Sequence, residues 1–123
     1  METSETAEVL VTNEVQNEMM GISEMHADGL TGNDMLIAVF DAGFRSVDQN
    51  IYFQHLFDND QVLATLDFRT NSEDVYNSKH DDHGTNVLSC IAGYKAGDFV
   101  SAVYDADVIL CVTEDASPEH RIE

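Results

Sequence analysis

The chain has 123 residues and carries 5 Lys+Arg against 24 Asp+Glu, for a formal net charge of −19 at pH 7. That length suits one small domain. The charge excludes nucleic acid as an expected partner, because phosphate neutralisation needs clustered Lys and Arg, and it argues against docking on anionic lipid. Hydrophobic residues make up 43% of the chain, too many for a disordered polymer. The apolar run Leu36 to Phe40 is far too short to span a bilayer, so no membrane partner is expected either. An acidic surface of this kind serves solubility; it also suits a salty medium, cationic substrates or divalent cations. Cys90 and Cys111 each sit among apolar neighbours and read as buried thiols. They do not make a disulfide scaffold, and whether a helix and a following strand bring them together stays open. The acidic start, Met1 to Thr6, has no charged-then-apolar leader, so no secretory signal peptide is expected.

Residues 1–11 read as a frayed tail. From Thr12 the pattern turns helical: Thr12 or Asn13 can cap, and Val15, Met19, Ile22 and Met25/His26 recur at spacings of three and four, with Gly21 placed to split the segment. The cluster Gly29 to Asp34 is a turn. Met35 to Phe40 shows no alternation and predicts a strand buried on both faces, as in a parallel sheet covered by helices. It stops at Asp41-Ala42-Gly43. Asp48 is placed to cap a short helix over Gln49 to Phe57, burying Ile51, Phe53, Leu56 and Phe57. Gln61 to Phe68 alternates and predicts a strand with Val62, Ala64, Leu66 and Phe68 on one face, and Arg69 to Asp82 reads as loop. A helix is predicted from near Gly84, with Val87, Leu88, Ile91 and Ala92 on its apolar face and Gly93 as C-cap. A short extended piece, Val100 to Val103, and a second buried strand, Asp107 to Thr113, follow. Helices alternating with strands predict an α/β fold, a partial doubly wound parallel sheet with helices on both faces. The chain supplies only part of that cover, which reads as one piece of a larger domain.

Two segments carry chemistry. Asp41 directly follows a buried strand, where functional groups collect in open parallel sheets, although an isolated Asp-x-Gly also serves as an ordinary turn. His83 opens an apolar helix, followed by Gly84 and Thr85. The positive end of the helix dipole disfavours the protonated imidazole, leaving a neutral base, and Gly84 lets the helix start approach neighbouring backbone closely. A solvated helix-start His is the plainer reading of His83 alone. Together, Asp41 and His83 are two members of an acid–base couple: the carboxylate accepts from Nδ1–H, fixes the tautomer and stabilises the imidazolium, while Nε2 takes a proton from a nucleophile.

The segments Ile37-Ala38-Val39-Phe40-Asp41-Ala42-Gly43-Phe44 and His83-Gly84-Thr85-Asn86-Val87-Leu88-Ser89-Cys90-Ile91-Ala92-Gly93 resemble those around the catalytic Asp and His of the subtilisin-like serine peptidases, the subtilases. Thr31 to Asp34, Phe99 to Asp107 and Val108 to Asp115 are similar to further stretches of that family, so the resemblance covers 12–123. Ala42 stands where Ser or Thr is usual, Asn86 where His is common, and Ser101, Val103 and Tyr104 replace the usual Gly, Ala and Pro. The resemblance implies an α/β peptidase domain with Asp41 and His83 as catalytic residues and a peptide or protein as substrate. It implies no cofactor for the reaction, structural calcium in the full-length protein, and a secreted or extracellular whole. It also implies a serine nucleophile in a Gly-Thr-Ser-x-Ala-type segment well after the last strand. None of Ser4, Ser23, Ser46, Ser72, Ser78, Ser89, Ser101 or Ser117 has that context. The expectation is an N-terminal part of a peptidase domain, missing its own C-terminal part and inactive alone.

Two alternatives compete. His80, Asp81, Asp82 and His83 could gather a metal, although an i, i+3 His pair across a loop–helix junction is poor zinc geometry without further ligands, and the Asp-rich stretches Asp58 to Asp60 and Asn71 to Asp74 lack the EF-hand order. Alternatively, the chain is an acidic, non-catalytic interaction module built on a subtilase-like half-fold.

Overall fold

The computed structural model describes residues 11–77 and 82–115. Most of the tail expected over 1–11, the segment holding His80 and Asp81, and the polar end from 116 lie outside the described residues. The elements run α1 (Glu14–Met19), α2 (Ile22–Ala27), β1 (Leu36–Asp41), a 3-10 turn (Val47–Gln49), α3 (Gln54–Asp58), β2 (Val62–Asp67), α4 (His83–Ala92), β3 (Tyr94–Lys95), β4 (Phe99–Val100) and β5 (Asp107–Val112). The fold is α/β. A three-stranded parallel sheet has the order β1-β5-β2, and β3 and β4 form a small antiparallel hairpin.

Strand β5 lies between the other two, which explains its apolar run: Val108, Leu110, Cys111 and Val112 are all buried. One face of the sheet carries the core. Val39 of β1 and Val108, Leu110 and Val112 of β5 pack with Val47, Phe53 and Leu56 from the first crossover and with Leu88 and Ala92 of α4 from the second. The chain steps from β1 past β5 to β2, then back from β2 to β5. Both connections therefore lay their helices on the same face while moving in opposite directions. Crossovers related in that way have opposite hands, so one of them is the rare left-handed kind.

That topology corrects the expected double cover. Among the described residues the opposite face has no helical layer: Leu36, Ala38 and Phe40 point there from β1 and are exposed. β1 is thus buried on one face only, despite its apolar composition.

Other differences are local. The segment from Thr12 does form two helices parted at Gly21, but its apolar stripe does not face the core; Val15, Met19 and Met25 are exposed. Polar anchors hold it instead. Asn13 and Asn17 each donate from Nδ2 to the Val100 carbonyl (2.7 and 2.9 Å), and Thr12 N–H donates to the Asp98 carbonyl (2.7 Å). The helix expected over Gln49 to Phe57 is broken into the 3-10 turn and α3, with Phe53 and Leu56 buried and Ile51 exposed. β2 slips register between Val62 and Ala64, so the expected simple alternation fails, and Phe68 is exposed. Within the expected loop from Arg69, Val75 is buried in the core. Gly93 is the C-cap of α4, as expected, in an extended conformation, and it leads into the hairpin, which local patterning does not reveal. Cys90 lies on the exposed side of α4, contrary to its expected burial, whereas Cys111 is buried; both are free thiols. Among the described residues no helix is long and apolar enough to cross a membrane.

Candidate functional site

Asp41 closes β1 at the carboxyl edge of the sheet, on the face that carries Val39 and the core. α4 packs against that face and begins with His83. The two side chains, 42 positions apart in sequence, meet there. His83 Nδ1–H donates to Asp41 Oδ1 at 2.9 Å and to Oδ2 at 3.0 Å. A carboxylate only accepts, so this contact places the ring proton on Nδ1 and makes Nε2 the nitrogen that carries the lone pair. The Asp41 side chain is only 9% exposed, whereas that of His83 is 70% exposed. A buried carboxylate needs donors, and Asp41 Oδ1 has a second in the Ala42 N–H at 2.7 Å.

The approach of α4 to the end of β1 depends on two glycines. Gly43 has φ +148, a conformation that L side chains rarely adopt, and its carbonyl oxygen turns towards the helix start. A β-carbon on Gly84 would lie 2.1 Å from that oxygen and 3.2 Å from the Asp41 β-carbon. Only a residue without a side chain lets the first turn of α4 sit this close. The neighbouring segment is tied on both sides: Thr85 Oγ1 donates to the Arg45 carbonyl (2.9 Å), Phe44 N–H to the Val75 carbonyl (2.9 Å) and Ser46 N–H to the Tyr76 carbonyl (3.0 Å). The exposed Arg45 and Asp82 form a loose ion pair at 3.6 Å beside His83. Exposed pairs of this kind contribute little to stability.

A second carboxylate stands at the same edge. Asp67 ends β2, and strand register sets it level with Val112 and Asp41 on the same face. Arg69 grips it as a fork, donating from Nε to Oδ1 (3.1 Å) and from an Nη to Oδ2 (3.0 Å). That hydrogen bonding holds the Asp67 carboxyl below the usual carboxylate range, against the opposing effect of burial. The pair lines an open polar cleft together with Gly43, Ser72 and Asn77. Sequence reading missed Asp67 and Arg69 because 69–82 lacks periodicity; the Asp-x-Arg spacing at a strand end was the available signal.

Three of the described serines have side-chain hydrogen bonds; one of them, Ser72, accepts at Oγ from the Asp74 N–H (3.0 Å). Ser89 Oγ donates to the Asn86 carbonyl (2.6 Å), Ser23 Oγ to Glu14 (2.8 Å), and Ser101 is buried. Ser4, Ser78 and Ser117 lie outside the described residues. Among the described residues no group of three or more His, Cys, Asp or Glu side chains is placed to hold a metal ion. His80 and Asp81, half of the suggested metal set, lie outside the described residues.

No family model matches the chain, and no curated protein matches it.

Proposed function

We propose that the chain carries the general-base half of a serine-type endopeptidase, with His83 as the base and Asp41 as its orienting carboxylate. The observation that supports this reading is the two-oxygen contact between buried Asp41 and the Nδ1 of the exposed His83. In the reaction, Nε2 of His83 takes the proton of a serine hydroxyl as its oxygen attacks a peptide carbonyl. The buried carboxylate stabilises the imidazolium without itself taking the proton. His83 then delivers that proton to the departing amine, and a water deprotonated in the same way releases the acyl group and restores the serine. The resemblance puts the serine beyond β5, outside the serines described above. The exposed His83 side chain stands at the carboxyl edge of the sheet, where such a group and a peptide would approach it.

The test is hydrolysis of a fluorogenic peptide by the product of the complete reading frame, beside its His83→Ala variant. Hydrolysis that falls by roughly 10⁶-fold in the variant supports the assignment. A full-length product that is folded, cleaves no peptide and takes no fluorophosphonate label on serine sinks it.

A further inference from the structure

The segment that seats α4 takes its shape from another loop. Between the end of β1 and the 3-10 turn, Gly43 has φ +148 and Ser46 has φ +61. A residue with a side chain, such as Ser46, is strained in the left-handed region and keeps it only where its surroundings fix it. The fixing contacts come from the stretch after β2. Phe44 N–H donates to the Val75 carbonyl (2.9 Å) and Ser46 N–H to the Tyr76 carbonyl (3.0 Å). Residues 43–46 in turn receive α4, through the close approach of Gly43 to Gly84 and the bond from Thr85 Oγ1 to the Arg45 carbonyl (2.9 Å).

Contacts run without a break from Asp67 to Ser46. Asp67 N–H donates to the Ser72 carbonyl (2.7 Å). The buried Asp67 carboxylate accepts from Arg69 three times: from the backbone N–H (2.9 Å), from Nε (3.1 Å) and from an Nη (3.0 Å). Together these bonds close the turn over 67–72. Ser72 Oγ then accepts from the Asp74 N–H (3.0 Å), Asp74 Oδ1 from the Tyr76 N–H (3.1 Å), and the Tyr76 carbonyl from Ser46. Val75 is buried in the core within this stretch. A buried side chain fixes where a loop lies, but the direction of its carbonyls is set by the turns beside it. Residues 69–77 form no helix, so that direction relies on the bonds just described. Those to the Asp67 carboxylate are charge-assisted and the strongest of them.

We propose that Asp67 is a positioning residue for the Asp41–His83 couple, acting through 69–77 and then through 43–46. This rests on the reading of His83 as a general base and extends it to the loop that sets the ring in place. The seat of α4 decides where His83 begins, and so whether its Nδ1 reaches both oxygens of Asp41. A misplacement of about 1 Å at a reacting group costs on the order of 10²-fold in rate. Asp67 therefore matters to catalysis through the orientation of the imidazole, beyond its share in stability.

The test uses the product of the complete reading frame, labelled with nitrogen-15 histidine, with the His83 signals assigned by their loss in His83→Ala. In the parent at neutral pH the imidazole nitrogen shifts should report a proton on Nδ1. In Asp67→Ala the two shifts should move together, as in a ring that exchanges tautomers. For a fluorogenic peptide, kcat should fall by about 10²-fold with KM unchanged. Asn17→Ala, which removes a buried hydrogen bond outside this relay, should leave both readings as in the parent. Should Asp67→Ala not fold, Arg69→Ala takes its place, removing the fork and keeping the Asp67–Ser72 bridge. A folded Asp67→Ala or Arg69→Ala with the imidazole shifts of the parent overturns the inference, and so does an equal change in Asn17→Ala. A parent that cleaves no peptide sinks the peptidase reading alone, and the imidazole shifts still decide the role of Asp67.

Discussion

The carbonyl oxygen of Gly43 occupies the space in which Gly84 would carry a β-carbon. This backbone-on-backbone contact seats α4 against the end of β1 and so delivers His83 to Asp41. Gly84→Ala should therefore be destabilising. Helix propensity favours Ala by about 1 kcal/mol, but overpacking against backbone that cannot swing aside costs about 1–3 kcal/mol. Urea unfolding should show a lower midpoint, and an unchanged or raised midpoint would mean that the helix start has slack.

Asp41→Asn should change the tautomer of His83 rather than the fold. The Asn amide can donate to Nδ1, which moves the ring proton to Nε2 and removes the lone pair needed for base catalysis. Imidazole nitrogen shifts at neutral pH distinguish the two tautomers. A variant with Nδ1 still protonated would show that some other group orients the ring.

Polar anchoring of the first helices predicts an inverted mutational pattern. Asn17 is buried and donates to the Val100 carbonyl, so Asn17→Ala should cost about 1–3 kcal/mol. Met19→Lys, on the apolar stripe but 81% exposed, should stay within about 0.5 kcal/mol of the parent. Equal losses at both sites in chemical denaturation would contradict the packing described here.

Burial pushes the His55 imidazole pKa below its ordinary value, against the pull of the Ala92 and Tyr104 carbonyls and of the Asp105 and Asp58 carboxylates. The unfolded chain, with a His pKa near 6.5, therefore binds this proton more readily than the folded one. The resulting stability is full above about pH 6.5, declines as the pH falls below it, and is gone once the folded-state pKa is passed. Unfolding free energies at pH 7.5 and 5.5 should differ in that direction, and His55→Gln should narrow the gap. An unaltered gap would assign the pH dependence to other groups.

Much of the element order was legible in the sequence, because strand and helix periods are local properties of the chain. The two apolar runs became β1 and β5, the spacing of Val87, Leu88, Ile91 and Ala92 became α4, and Gly21 split the first helical stretch. Asp41 and His83 were legible as a pair because each stands at a recognisable junction, a strand end and a helix start. Burial was less legible. The apolar stripe of α1 and α2 faces solvent, and Cys90 is exposed, because amphipathic spacing states which residues share a face without stating what that face meets. The Asp67–Arg69 fork and the β3–β4 hairpin escaped notice because neither repeats a period long enough to register.

The sequence by itself determined which segments become strands and helices and where the chemically active side chains stand along them. Only the tertiary structure decided that both crossovers share one face of the sheet and that β5, not β2, pairs with β1. It alone set Asp41 and His83 in hydrogen-bonding contact. Those outcomes depend on the direction in which the chain steps between parallel strands and on how near two backbones come at Gly43 and Gly84. Both are relationships between segments distant in sequence, to which local periodicity is blind.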